Sequence, residues 1–236
     1  LRTYRPRERI TYDWWGSVVR PAVPTGAVPT RTGDGLLLQV AELAGNGGTT
    51  YDRSTDAETT MELYEDGELI ATDDHAWGTY TATAARADYR LELGVSRTKD
   101  PQWAYSTTTD TTWEFESARP ASGSAELPLL QVDYDVPVDL DNEVRGGRLE
   151  RLGFSIGYAG RPEAKTRVAD VDAWISYDDG DSWQRLSLRG GHANSWSAAV
   201  RHPRDGGYAS LRVRAEDRDG NTVDQTVLRA YGVAPG

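Results

Sequence analysis

The chain of 236 residues contains no cysteine, which excludes disulfide bonds and thiol nucleophiles but leaves its compartment open. Its apolar runs are also short. None reaches the roughly 18 residues that a membrane-spanning helix needs, so we expect no membrane insertion. Basic residues are outnumbered, 26 to 37, which gives a formal net charge of −11. This charge disfavours nucleic acids and anionic membrane surfaces as partners.

Helical periodicity is nearly missing as well. Apolar residues rarely recur at three-and-four spacing over more than one turn. Short alternating runs broken by Gly, Pro, Asp and Asn dominate instead, as in 89–95, where every second residue is apolar. Such runs are typical of β-strands joined by tight turns, and they predict an all-β fold.

The predicted strands fall into two groups on either side of a segment rich in Ser, Ala, Gly and Pro. We therefore predict two tandem β-sandwich domains. The first covers 1–118 and is jelly-roll-like or immunoglobulin-like, with an irregular N-terminal lead-in. A linker follows at 119–127. The second covers 128–236 and is immunoglobulin- or fibronectin-III-like.

The stretch Trp174–Trp183 gives the clearest hairpin signal. An alternating run leads into Asp178-Asp179-Gly180-Asp181, where short acceptor side chains surround one glycine. The stretch fits Ser-x-Asp-x-Gly-x-x-Trp, the pattern called an Asp box in sialidases and other secreted β-proteins. The resemblance is to a folding device and not to an active site. One copy occurs, whereas a sialidase propeller would repeat it from blade to blade.

Two acidic turns are candidate calcium sites. One holds Asp178, Asp179 and Asp181, and the other holds Asp217, Asp219 and Asn221. An EF-hand would need a further ligand before its glycine and a Glu at the twelfth position, and the second turn has neither. A β-turn whose Asp and Asn side chains bond their own backbone is the alternative for both. Asp73-Asp74-His75 is a further candidate for binding a cation, but we favour a solvated acidic loop there.

The eight tryptophans suggest a second kind of site, a platform that binds sugars. Trp14, Trp15, Trp77 and Trp103 are the candidates, because they lie outside the firmest strands. The other four, Trp113, Trp174, Trp183 and Trp196, lie in alternating runs. We expect those four to be core residues or to pack against a neighbouring strand.

Gly153-Phe154-Ser155-Ile156-Gly157 matches the Gly-x-Ser-x-Gly nucleophile elbow of α/β-hydrolases. That chemistry needs the serine on a sharp turn between a strand and a helix. Here the motif lies within an alternating run, and no helical pattern follows. We therefore expect Ser155 in the middle of a strand, and a serine hydrolase using Ser155 remains the weaker alternative.

Several strand-and-turn motifs carry a resemblance to a known family. In the second half they are Leu127–Tyr134, Val171–Trp183, His202-Pro203, Tyr208–Arg212, Ala215–Val223 and Gln225–Tyr231. In the first half they are Arg31–Asp34, Thr60–Gly67 and Thr111–Phe115. Together they resemble the C-terminal region of large secreted actinobacterial subtilisin-like (S8 family) serine peptidases. The family's catalytic motifs, Asp-Thr/Ser-Gly, His-Gly-Thr and Gly-Thr-Ser-Met-Ala, do not occur here.

The resemblance implies an extracellular, non-catalytic accessory region of a serine endopeptidase whose catalytic domain lies upstream in the same polypeptide. That domain would be one partner, and the region would act in stabilisation, protein contact or substrate recruitment. A β-sandwich module that binds carbohydrate or cell wall is the alternative function, with a polysaccharide as partner. No cofactor is expected apart from possible calcium.

Overall fold

The computed structural model describes residues 16–45, 50, 57–99, 103–161 and 167–236, and every regular element among them is a β-strand. The first half contributes β1 (Arg20–Ala22), β2 (Thr30–Thr32), β3 (Gly35–Ala44), β4 (Glu58–Glu65), β5 (Glu68–Asp73), β6 (Ala76–Thr81), β7 (Arg86–Ser96), β8 (Thr108–Ala118) and β9 (Ser124–Glu126).

The second half contributes β10 (Leu130–Asp135), β11 (Glu143–Arg145), β12 (Leu149–Tyr158), β13 (Val168–Ser176), β14 (Gln184–Arg185), β15 (Arg189–His192), β16 (Ser195–Arg201), β17 (Gly207–Asp217) and β18 (Thr222–Ala234). The predicted all-β fold class is confirmed.

A sheet of nine strands, which we call the long sheet, contains strands from both halves of the chain. Its order is β14-β13-β17-β18-β8-β7-β4-β5, and β11 pairs in parallel with β18. The alternation seen in the sequence sets its two faces. In β8, for example, Thr109, Thr111, Trp113 and Phe115 are buried, while the residues between them point to the other side.

Two smaller sheets cover the buried face of the long sheet. One contains β1, β3, β2, β9 and β6, and the other has the order β10-β12-β16-β15. Side chains bridge the layers. Arg31 Nη1 on β2 donates to Ser117 O at 2.9 Å, and Trp113 Nε1 donates to Leu130 O at 2.7 Å. The chain thus forms two β-sandwiches in tandem that share one sheet, with a single continuous core.

The segment predicted as a linker is docked on the first sandwich. It contains β9, which pairs with β2, and its Leu127 is buried. The long sheet also crosses the predicted boundary, because β8 pairs with β18 from Thr108↔Leu228 to Glu114↔Thr222. The division into domains at 1–118 and 128–236 stays a prediction.

One buried arginine joins the two smaller sheets. Arg20 on β1 donates to Ala44 O, Gly45 O and Val132 O at 2.7 to 3.1 Å, and it also pairs with Asp133. It is fully buried, which is unusual for arginine and requires such partners.

Among the residues the structure describes, no helix is long and apolar enough to cross a membrane.

Candidate binding face

The turn after β13 is held together by its own side chains. Ser176 Oγ donates to Asp178 Oδ1 at 2.6 Å, and Ser182 donates its N–H and Oγ–H to the same carboxylate at 2.9 and 2.5 Å. The bonds from Ser176 and Ser182 lower the pKa of Asp178 to about 2. The oxygens of Asp178 therefore face donors of the turn itself.

The neighbouring Asp179 forms a two-pronged ion pair with Arg229 on β18. Arg229 Nε and Nη2 donate to the two carboxylate oxygens at 2.9 and 2.6 Å, which lowers the pKa of Asp179. The same guanidinium lies 4.6 Å from the ring centre of Tyr208. Asp181 is exposed. The turn is thus tied to the long sheet by an ion pair.

The second acidic turn, between β17 and β18, is also closed by protein donors. Asp217 is 1% exposed. Its Oδ1 accepts from the N–H groups of Asp219 and Asn221, and its Oδ2 accepts from Asn221 Nδ2 and from Tyr158 OH, all at 2.8 to 2.9 Å. The β-turn interpretation accounts for these bonds, while calcium at either turn stays a prediction.

Within the described part of the chain, one group of three potential metal ligands has its donor atoms within 4.8 Å of one another: Asp73, Asp74 and His75. His75 Nδ1 lies 2.8 Å from Asp73 Oδ1 and 2.9 Å from Asp74 Oδ1. The bond to Asp74 raises the pKa of His75. The imidazole of His75 thus contacts both carboxylates, where the chain passes from β5 to β6.

Ser155 lies in the middle of β12, paired with Asp133 on one side and Ser195 on the other. Its side chain is exposed, whereas Phe154 and Ile156 are buried. A nucleophile elbow requires a sharp turn, and this backbone is a paired strand.

Of the four tryptophans predicted to bind sugars, the structure describes two, and they lie on separate elements. Trp77 lies on β6 and is 46% exposed. Trp103 lies in the loop before β8, with the Arg97 guanidinium 4.7 Å from its ring centre. Trp14 and Trp15 fall outside the described residues.

For Trp174 the sequence left two positions open, one in the core and one against a neighbouring strand. It packs against a neighbouring strand, since Arg212 Cζ on β17 lies 5.5 Å from its ring centre. However, Trp174 is partly exposed and points away from the core, whereas its neighbours Ala173 and Ile175 are buried and point into it. The period-two alternation around Trp174 was the signal that could have placed it on the polar side.

The polar side of the long sheet, which we call the outer face, is built from straight rows of paired residues. Three rows cross the sheet, and their members share the outward pleat: Tyr64–Arg90–Glu114–Thr222–Glu216; Glu62–Glu92–Thr112–Asp224–Arg214–Asp172; and Thr60–Gly94–Asp110–Thr226–Arg212–Trp174–Arg185. Strands from both halves of the chain contribute to every row.

Ion pairs fix many of these side chains. Arg212 Nε and Nη2 donate to the two oxygens of Asp224 at 3.0 and 2.7 Å, and Arg185 Nε donates to Asp172 at 3.0 Å. These carboxylates raise the pKa of both guanidinium groups. Pairs of this geometry hold their planar groups in defined orientations.

A shallow groove of about 430 Å³ lies at the centre of the outer face. Arg212, Asp224, Thr226 and Asp110 are part of its lining, together with other polar residues of the three rows. Asp110 is exposed, but neighbouring side chains partly desolvate its carboxylate and raise its pKa. The groove can therefore offer guanidinium N–H donors, carboxylate acceptors and threonine hydroxyls within a small area.

No protein-family model matches the chain, and no curated protein matches it. Solved structures with similar folds include the fibronectin(III)-like modules of Clostridium thermocellum CbhA, at 12% identity and a TM-score of 0.25, covering 92% of this chain and 93% of that one. The Ig1-Ig2 domains of Dpr2, solved in complex with DIP-Theta, match at 8% identity and a TM-score of 0.27, covering 94% and 97%. Three N-terminal domains of the bacteriophage RB49 outer capsid protein Hoc match at 12% identity and a TM-score of 0.26, covering 93% and 69%.

Proposed function

We propose that this chain is a non-catalytic binding region of a secreted enzyme and that the outer face of the long sheet is its contact surface. The observation that carries the proposal is the outer face itself. Its rows run without interruption across strands from both halves, and its guanidinium and carboxylate groups are already oriented by ion pairs. A surface held in place in this way loses little conformational entropy when a ligand binds.

The proposal retains the parent protein that the sequence motifs suggest, an extracellular subtilisin-like serine endopeptidase whose catalytic domain belongs to the same polypeptide. In that setting the region brings the catalytic domain to a surface or a substrate. The paired, extended backbone at Ser155 agrees with a role without catalysis, because the nucleophile elbow needs a different local geometry.

A fluorophosphonate probe tests the non-catalytic part of the proposal. The purified chain is incubated with the probe and, separately, with casein. We expect no covalent labelling and no cleavage. Ser155→Ala is the matched control, since it removes an exposed hydroxyl from the middle of a strand. Labelling or cleavage that the wild type shows and Ser155→Ala lacks would refute the proposal.

A further inference from the structure

We infer that the row Trp174–Arg212–Thr226–Asp110 on the outer face binds a neutral polysaccharide chain. The inference rests on the proposed function and names the chemical class of its ligand. The four residues belong to β13, β17, β18 and β8, and each is the direct backbone partner of the next. At one strand spacing per step the row is about 14 Å long, which suits a ligand of a few sugar rings.

Trp174 supplies the apolar surface. Sugar rings carry C–H groups on their faces, and these pack well on aromatic rings. The indole is partly exposed, with Arg212 opposite it on one neighbouring strand and Arg185 opposite it on the other. Both arginines are held by carboxylates, Arg212 by Asp224 and Arg185 by Asp172. The Arg212 guanidinium lies over the indole, 5.5 Å from the ring centre, so it orders the ring and leaves the uncovered part of the ring to a sugar.

The rest of the row supplies hydrogen-bonding groups for hydroxyls. A guanidinium has five N–H donors, and the pair with Asp224 uses two nitrogens of Arg212. Thr226 adds a hydroxyl, which can donate or accept. Asp110 ends the row as an exposed carboxylate acceptor. The row thus offers a donor, a hydroxyl and an acceptor on three adjacent strands, the groups that sugar hydroxyls need.

Charge decides between a neutral ligand and an anionic one. Arg212 and Arg185 are already paired with carboxylates, so neither presents an unpaired positive charge. The lining of the groove contains three arginines and four carboxylates: Arg90, Arg212, Arg214, Glu92, Asp110, Glu114 and Asp224. An anionic chain would therefore find no net positive charge in the groove, and the protein's net charge of −11 would repel it.

The large exposed apolar side chains of the described residues are Leu69, Trp77, Leu140, Leu149 and Tyr208. None belongs to the row. A protein partner would be expected to bury a larger apolar centre than one indole ring provides. A polar groove with one indole ring beside it, packed against Arg212 of the groove lining, fits a polyhydroxylated chain better.

The test is calorimetric titration of the whole chain with three neutral soluble polysaccharides: mixed-linkage β-glucan, xylan and glucomannan. We expect at least one to bind and Trp174→Ala to weaken it at least tenfold. Trp77→Ala is the matched control, because it removes an exposed tryptophan from a different sheet, and it should leave the affinity unchanged. Thr226→Val removes one hydroxyl at nearly constant shape, and it should weaken binding severalfold even if Trp174→Ala folds poorly.

Other outcomes would overturn the inference. They are the absence of binding to all three polysaccharides, equal affinity of the wild type and Trp174→Ala, or tighter binding of the anionic polysaccharide polygalacturonate. Binding of casein that depends on Trp174 would assign the row to a protein ligand instead. None of these results involves labelling by the fluorophosphonate probe, so failure of this inference can be told from failure of the proposed function.

Discussion

His202 is expected to make the protein less stable as the pH falls from 6.5 to 4. Its side chain lies after β16 and is 2% exposed. Nδ1 lies 2.9 Å from Tyr177 OH, and the buried Nε2 has no hydrogen-bond partner among the described residues. The rings of Tyr177 and Tyr231 stand edge-on to the imidazole from two sides. If the imidazole were protonated, its second N–H would therefore be buried beside aromatic rings without a hydrogen-bond acceptor.

Burial lowers the pKa of His202 from 6.5 to about 4 in the folded protein. Between these two values the unfolded chain carries a proton that the folded protein does not bind. The free energy of unfolding is therefore fully retained above pH 6.5 and falls as the pH drops toward 4. The full loss is about 3 kcal/mol, and about 2 kcal/mol of it is reached at pH 5.

Other groups with shifted pKa values do not produce this loss, because they titrate at lower pH or act with the opposite sign. The pKa values of Glu65 and Asp178 are lowered to about 2 from values of 4.5 and 3.8, so their losses come mainly below pH 5. His75 acts with the opposite sign, because its pKa is raised and its protonation favours the folded state as the pH falls.

Urea unfolding followed by tryptophan fluorescence at pH 8 and pH 5 measures the effect. The wild type should lose about 2 kcal/mol more than His202→Gln between the two pH values. His75→Gln is the matched control and should increase the loss. An equal loss in the wild type and His202→Gln would refute the reasoning. If His202→Gln does not fold, NMR titration of the wild-type imidazole decides, because a midpoint near 6.5 would also refute it.

Two further predictions concern backbone clearance and a buried carboxylate. Gly160→Ala should destabilise the protein by about 3 kcal/mol in urea unfolding, because its Cβ would lie 1.7 Å from Ala27 O. Gly33→Ala, also at positive φ but in open space, should cost only about 1 kcal/mol, and equal costs would contradict the packing argument. Glu65→Gln should cost about 2 kcal/mol, because Glu65 accepts bonds from Tyr89 OH and from the N–H groups of Thr83 and Ala84 at 2.7 to 3.1 Å. Burial raises the pKa of Glu65 but these bonds lower it to about 2, so carboxyl NMR should show it ionised at pH 4.

Local sequence patterns were sufficient for the longer alternating strands and for some of the tight turns. The sequence Asp66-Gly67, a typical signal for a tight hairpin turn, joins β4 to β5, and both residues have positive φ. Such features depend on neighbours in the chain, because alternation and turn chemistry act over a few residues.

The burial of arginine could not be predicted in this way. Only two of the 26 basic residues are lysine, which leaves 24 arginines, and most would be expected at the surface. Arg20, Arg31 and Arg97 are nevertheless buried. Arg31, for instance, donates to Ser117 O and to Ala84 O, carbonyl groups at least 53 residues away. A guanidinium can be buried when several carbonyls converge on it, and that convergence exists only in the folded chain.

The outer face depends on long-range pairing in the same way. Its decisive contact is β8 against β18, where Asp110 meets Thr226 across more than a hundred residues. Each strand alone shows polar residues on its outward pleat, which an ordinary solvated sheet would also show. Only the register of β8, β18, β17 and β13 brings Asp110, Thr226, Arg212 and Trp174 into one row. A shift of one residue in any of these pairings would turn one member toward the core. The candidate ligand site is therefore a property of the shared sheet, and neither half of the chain contains it alone.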